Sequence, residues 1–210
     1  MKHRIKGLYL ITDTRIQNRY THVELARKTV PEGLHMIQLR DKELPTGPLL
    51  ETALEMARIC RENDCLFIVN DRVDIALAAG ADGVHLGQDD FPIPQARERL
   101  GPGKIIGGTA STPEEAKKVE GEEADYVGFG HIYETGTKRK DYPPRGLDGL
   151  RRVTETLRLP VAAIGGIRAD NLEDVIRAGA SAVALSSAIC TADDPGKTVR
   201  NLLEILARVS

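Results

Sequence analysis

Eight short aliphatic runs, each bounded by Gly, Asp or Asn and separated by amphipathic stretches, limit what this chain can become more than any other feature. They fall at residues 8–12, 36–39, 66–69, 83–86, 104–107, 126–129, 161–164 and 182–185. A strand-sized run alternating with a helix-sized segment is the βαβ rhythm, and eight parallel strands joined by right-handed crossovers close into a barrel. The expected fold class is α/β, a single (β/α)8 TIM barrel occupying residues 1–210. With 210 residues against roughly 250 for a typical barrel, the length leaves room for one domain. Among the intervening stretches, 48–62 places Leu49, Leu50, Ala53, Leu54 and Ala57 on one stripe, 112–119 opens with Thr-Pro-Glu-Glu, and 195–209 reads as a last helix. A weak internal repeat supports one architecture throughout: Ala79-Gly-Ala-Asp-Gly-Val-His-Leu, Glu123-Ala-Asp-Tyr-Val-Gly-Phe and Ala178-Gly-Ala-Ser-Ala-Val-Ala-Leu share a helix-end, turn and strand pattern, with Gly80 and Gly179 ending helices.

Composition narrows the class of partner. The 29 Lys and Arg stand against 31 Asp and Glu, so there is no overall cationic field to hold a nucleic acid or an anionic membrane, and any anionic ligand must meet local charge. Hydrophobic residues make up 41 % with 4 % aromatics and no Trp, so the core must be Leu, Ile, Val and Ala, which suits a narrow parallel barrel. The basic start Met1-Lys-His-Arg-Ile-Lys6 lacks an apolar signal region, and no apolar run could span a bilayer. Cys60, Cys65 and Cys190 make an odd number without a zinc-type pair, which fits a reducing cytoplasm. Assembly into a homo-oligomer stays open.

In such barrels the chemistry gathers at the C-terminal ends of the strands. Strand two ends in Gln38-Leu39-Arg40-Asp41-Lys42, where Gln38, Arg40 and Lys42 point the same way if extended and offer a fork and a point charge to phosphate oxygens. The alternative is a solvated charged loop. Strands three and four deliver Asn70-Asp71-Arg72 and His85-Leu-Gly-Gln-Asp-Asp90 to neighbouring points on one rim. Facing acids repel unless a cation intervenes, and oxygen donors without His or Cys clusters favour Mg²⁺; the competing role for Asp71 and Asp90 is helix capping. Strand five leads to Gly107-Gly-Thr109-Ala-Ser111, and strand six to His131 and the polar, basic loop 134–145 with Thr135, Gly136, Thr137 and Lys138. His131 is either a general acid or base or a satisfied polar residue at a strand edge. Strands seven and eight end in Gly165-Gly166 and Ser186-Ser187, the usual place for a phosphate in this fold, unless the glycines serve only a tight turn. The rim is thus expected to carry two anion sites, one of them with a metal.

Along nearly the whole chain the motifs Leu8-Tyr-Leu-Ile-Thr-Asp13, Gln38-Leu-Arg-Asp-Lys42, Asn70-Asp-Arg72, Val84-His-Leu-Gly-Gln-Asp-Asp90, Thr135-Gly-Thr-Lys138, Ala163-Ile-Gly-Gly-Ile167 and Ser186-Ser-Ala-Ile189 resemble those of the thiamine-phosphate synthase family. The resemblance implies an Mg²⁺-dependent transferase that joins a hydroxymethylpyrimidine diphosphate to a thiazole phosphate and releases diphosphate, through a stabilised carbocation and without a protein nucleophile. It implies that the segment Gln38, Leu39, Arg40, Asp41 and Lys42, with Asn70 and Thr109, holds the pyrimidine diphosphate. Asp71 and Asp90 would hold Mg²⁺; Thr135, Gly136, Thr137, Gly166, Ser186 and Ser187 would meet the thiazole phosphate. Arg40, Lys42, Lys138 and His131 would be the catalytic group. The segment Gly130-His131-Ile-Tyr-Glu-Thr135 is similar to a sister family, a thiazole tautomerase with a catalytic histidine at the position of His131, which stands as the alternative alongside a non-catalytic barrel that binds thiamine precursors.

Overall fold

The computed structural model describes residues 5–136 and 141–209. Eight parallel strands form a closed barrel in sequence order, β1 pairing with both β2 and β8. The strands are β1 (Gly7–Thr12), β2 (Met36–Leu39), β3 (Leu66–Asn70), β4 (Gly83–Leu86), β5 (Ile105–Ala110), β6 (Tyr126–Gly130), β7 (Val161–Ile164) and β8 (Ala182–Leu185). The helices α1 (His22–Thr29), α2 (Thr46–Glu62), α3 (Val73–Ala78), α4 (Ile93–Leu100), α5 (Pro113–Gly121), α6 (Gly146–Thr156), α7 (Leu172–Arg177), α8 (Ser187–Cys190) and α9 (Pro195–Ala207) alternate with them. Local chemistry places several ends. Thr21 and Glu24 form a capping box at α1, Thr112 accepts from the Glu115 amide at α5, and Asp194 accepts from the Lys197 amide at α9. Gly80 and Gly179, with φ of 65° and 95°, follow the last residues of α3 and α7 as expected.

Side-chain alternation along each strand sorts the apolar residues into two cores. Leu8, Leu10, Ile37, Leu39, Phe67, Val69, Val84 and Val127 face outward against the helices. Tyr9, Ile11, Met36, Leu66, Ile68, Ile105, Tyr126, Ala162, Ala182 and Ala184 fill the barrel. At about 1.5–3 kcal/mol for each fully buried large aliphatic, the outer layer supplies most of the hydrophobic stabilisation, while the inner layer forms the base on which the rim residues stand. Two features differ from expectation. The fifth strand continues past 107 to Ala110, pairing Gly107, Gly108, Thr109 and Ala110 with β6. The stripe on α2 is rotated: Leu49, Ala53 and Ala57 are buried, but Leu54 is 48 % exposed, and Met56, Ile59 and Cys60 complete the packed face. All three cysteines are free and buried. Among the described residues no helix is long and apolar enough to cross a membrane.

Candidate active site

The C-terminal ends of the strands surround a pocket of about 190 Å³. Its floor is polar although it lies inside the barrel. Gln38 Nε2 donates to the Tyr9 hydroxyl, which lies 2.8 Å from that of Tyr126. The Tyr126 hydroxyl in turn is 2.9 Å from His85 Nδ1, and His85 Nε2 is 2.9 Å from Thr109 Oγ1. The chain of contacts therefore joins β2, β1, β6, β4 and β5 across the pocket and ends at both sides on residues that line it. Burial drives every titrating member toward its neutral form: it raises Tyr9 and Tyr126 and, against the pull of Asp90, pushes His85 down to about 4. A neutral imidazole has one N–H, so one of Tyr126 and Thr109 donates to His85 and the other accepts. The glycine at 107 follows from the same arrangement: a Cβ there would lie 2.1 Å from Tyr126 Cζ, so the aromatic ring occupies the space a side chain would need.

Beside the floor stands the cationic arm. Arg40 lines the pocket and pairs with the buried Asp13 carboxylate, which also accepts from the Arg15 amide at 3.0 Å. Pairing through one side of its planar fork leaves the remaining N–H groups of Arg40 for an anion. Lys42 Nζ lies 2.6 Å from Asp71 Oδ2. Asp71, at φ 61°, turns the chain off β3 and donates its amide to the His85 carbonyl at 2.8 Å. Asp90 Oδ2 accepts from the Gly87 amide at 2.7 Å, and its carboxyl is pushed up by burial first and then by the facing Asp71. Neither acid caps a helix: Arg72 and Pro92 hold the N-cap positions of α3 and α4. Two carboxyls that lean on each other, on loops next to a lysine and an arginine, suit a hard cation that takes its other ligands from water and phosphate. Among the described residues no group of three or more His, Cys, Asp or Glu is placed to hold a metal.

Across the pocket, Gly165, Gly166, Ser186 and Ser187 line the wall. Gly165 and Gly166 have φ of 103° and 66°, and Cβ atoms there would lie 2.4 Å from His131 Cβ and from the Glu134 carbonyl, so both glycines let the segment after β6 lie directly on the end of β7. Among the described residues the buried Ser186 Oγ meets no oxygen or nitrogen partner and has only the Cys190 thiol beside it. His131 is 5 % exposed, with its ring 5.3 Å from that of Tyr142. Tyr142 is held from above and behind, with the Arg145 guanidinium 4.2 Å from its ring and its hydroxyl 2.5 Å from Ser111 Oγ.

Of the residues singled out in the sequence, Gln38, Arg40, Asn70, Thr109, His131, Thr135, Gly166, Ser186 and Ser187 all line this one pocket, and Lys42, Asp71 and Asp90 cluster on its rim. Gly136 is exposed at the edge of the described segment, and Thr137 and Lys138 lie outside the described residues. Strand alternation corrects the expectation for Leu39 and Asp41. The Leu39 side chain is buried in the outer core, and Asp41 turns outward to His22 and Thr14. Burial alone would raise the Asp41 carboxyl, but hydrogen bonds from His22, the Leu44 and Glu43 amides and Thr14 pull it down to about 2. Sequence reading missed Tyr9, Tyr126, Asp13 and Tyr142 as site residues. The first three sit at inward or terminal strand positions, a signal that period-two alternation could have supplied; Tyr142 has no such signal.

The family model of thiamine monophosphate synthase matches residues 8–189. A thiamine-phosphate synthase of Moorella thermoacetica is 43 % identical over 201 residues, covering 96 % of each chain. That of Archaeoglobus fulgidus is 44 % identical over 202 residues, covering 96 % of this chain and 94 % of its own. A solved thiamine phosphate pyrophosphorylase from Pyrococcus furiosus superposes with a TM-score of 0.90 at 40 % identity, covering 99 % of this chain and 98 % of that one. A 3-hexulose-6-phosphate synthase, 21 % identical with a TM-score of 0.68, shares the fold alone. The chain belongs to the thiamine monophosphate synthase family.

Proposed function

We propose that this protein joins a 4-amino-2-methyl-5-(diphosphomethyl)pyrimidine to a thiazole phosphate, giving thiamine phosphate and diphosphate. The observation that carries the reading is the gathering of a cationic arm, a pair of facing carboxyls and a separate glycine and serine wall around one pocket. In this reading the bond between the methylene carbon and the diphosphate oxygen breaks with its electron pair leaving on oxygen, and the 4-amino group shares the positive charge left on the pyrimidine. The lone pair of the thiazole nitrogen then closes the new bond.

Arg40 and Lys42 meet the departing charge, while Gln38 and Asn70 orient the pyrimidine above the polar floor. Gly166, Ser186, Ser187 and Thr135 hold the thiazole phosphate across the pocket. Asp71 and Asp90 would hold Mg²⁺, which supplies charge neutralisation for the diphosphate. No proton must move in the bond-forming step, so His131 has a packing role against Tyr142 rather than an acid or base role; the synthase names of the relatives likewise favour this reading over the tautomerase. Three buried thiols suit a reducing cytoplasm.

The test is diphosphate release by the pure protein with both precursors. Release should require Mg²⁺, and Asp90→Asn should raise the Mg²⁺ concentration for half-maximal rate by about tenfold or more. Isomerisation of a thiazole carboxylate phosphate that is lost in His131→Ala, without diphosphate release, would establish the tautomerase instead.

A further inference from the structure

Behind the cationic arm lies a buried polar cluster that the proposed reaction does not use. His22, the first residue of α1, is 3 % exposed. Its Nδ1 is 2.7 Å from Thr12 Oγ1, and its Nε2 is 3.0 Å from Asp41 Oδ2. The Thr12 hydroxyl is itself 3.0 Å from the Gln38 carbonyl. The Gln38 carbonyl only accepts, and the one hydroxyl hydrogen of Thr12 goes either to it or, over the shorter distance, to His22 Nδ1. On the other side of the ring an ionised carboxylate only accepts as well, so Nε2 must donate to Asp41. We infer that His22, by donating from Nε2 to Asp41, positions the segment carrying Arg40 and Lys42.

The surroundings fix the Asp41 carboxylate in place. Asp41 Oδ1 accepts from the Glu43 and Leu44 amides, each at 2.7 Å, and Oδ2 also accepts from Thr14 Oγ1 at 3.1 Å, so the carboxylate is saturated. The consequence for the rim is geometric. With Asp41 clamped outward between β1, α1 and the start of its own loop, its neighbours at 40 and 42 are forced to the opposite face, where Arg40 meets Asp13 and Lys42 meets Asp71. Thr12 and Gln38 extend the clamp to the strand that bears the pyrimidine-facing side chain. His22 is thus a positioning residue, and this part of the inference rests on the reading that Arg40 and Lys42 bind the diphosphate.

Nitrogen NMR of the intact protein, labelled in its histidine rings and measured at neutral pH, tests the clamp. The expected result is an exchange-protected Nε2–H proton on His22, assigned by its loss in His22→Gln and its change in Asp41→Asn. A freely exchanging or absent Nε2–H on His22 overturns the inference. Kinetics decide the positioning: His22→Gln and Asp41→Asn should each raise KM for the pyrimidine diphosphate by about tenfold or more and leave KM for the thiazole phosphate unchanged. Equal changes in both KM values, or none, would mean that the cluster only supports the fold. Arg40→Ala separates the two levels. If it leaves the diphosphate KM unchanged, the reading of the arm fails while the NMR result still stands; if it raises that KM and the His22 and Asp41 variants do not, the positioning role fails.

Discussion

Acidification from pH 6.5 to 4 should weaken this fold by an amount set largely by one imidazole. His85 sits between Tyr126 and Thr109, and burial pushes it from the ordinary 6.5 down to about 4. Below 6.5 the unfolded chain takes up a proton at this residue, whereas the folded chain resists until about 4. Within that window the folded state binds fewer protons, so stability falls as pH falls and the loss is complete below the folded value. The gap between 6.5 and about 4 corresponds to about 3 kcal/mol, a large part of the 5–15 kcal/mol by which domains are usually stable. Other groups titrate too, and comparison with a variant removes them. Half-buried His35 is also pushed down, while Asp41, held at about 2, loses its contribution only as pH falls through the ordinary carboxylate range toward that value. Urea unfolding of the wild type and of His85→Gln, each at a series of pH values, should give curves that converge by about 3 kcal/mol between 6.5 and 4. Parallel pH profiles for the two proteins would refute the claim that His85 is kept neutral by its place in the floor.

Three further outcomes follow from the same geometry. Tyr126→Phe keeps the ring that fills the space beside Gly107 but removes the hydroxyl between Tyr9 and His85, so urea unfolding should show a loss of about 2–3 kcal/mol; a neutral result would mean that water replaces the hydroxyl at no cost. Gly165→Ala places a methyl 2.4 Å from His131 Cβ at a φ of 103°, so it should displace the segment after β6 and cut kcat/KM far more than a one-step loss of stability predicts. Arg40→Lys keeps the charge but not the fork shared between Asp13 and an anion, and its kcat/KM should fall by about tenfold or more.

The barrel was legible because eight aliphatic runs at strand length, separated by helical stripes, admit few other closures; seven of the eight runs lie where the strands do to within a residue at each end. Strand five was legible only at its start, since the run that marks it ends at Gly107 while in the structure Gly107 and Gly108 continue the ladder beside a large ring. The rim was legible because chemistry in such a barrel sits at strand ends, and the alternation of Gln38, Arg40 and Lys42 told which side chains share a face. The polar floor was not. Tyr9 and Tyr126 read as ordinary strand aromatics, and only the convergence of five strands shows their hydroxyls meeting 2.8 Å apart. His22 was equally silent, because its partners lie 10 and 19 residues away on other elements.

The base of the pocket is also the top layer of the barrel's own filling, and this makes substrate shape and folding stability parts of a single adaptation. Bulky Tyr9 on β1 and Tyr126 on β6 flank Ala162 and Ala184, whose small side chains on the intervening strands β7 and β8 leave room between them. A change that enlarged either alanine would narrow the space for the second substrate and repack the barrel at once, and a change that shrank either tyrosine would widen the pocket at the expense of a buried ring. New substrate preferences are therefore more accessible to this lineage through the loops above the strands than through the floor beneath them.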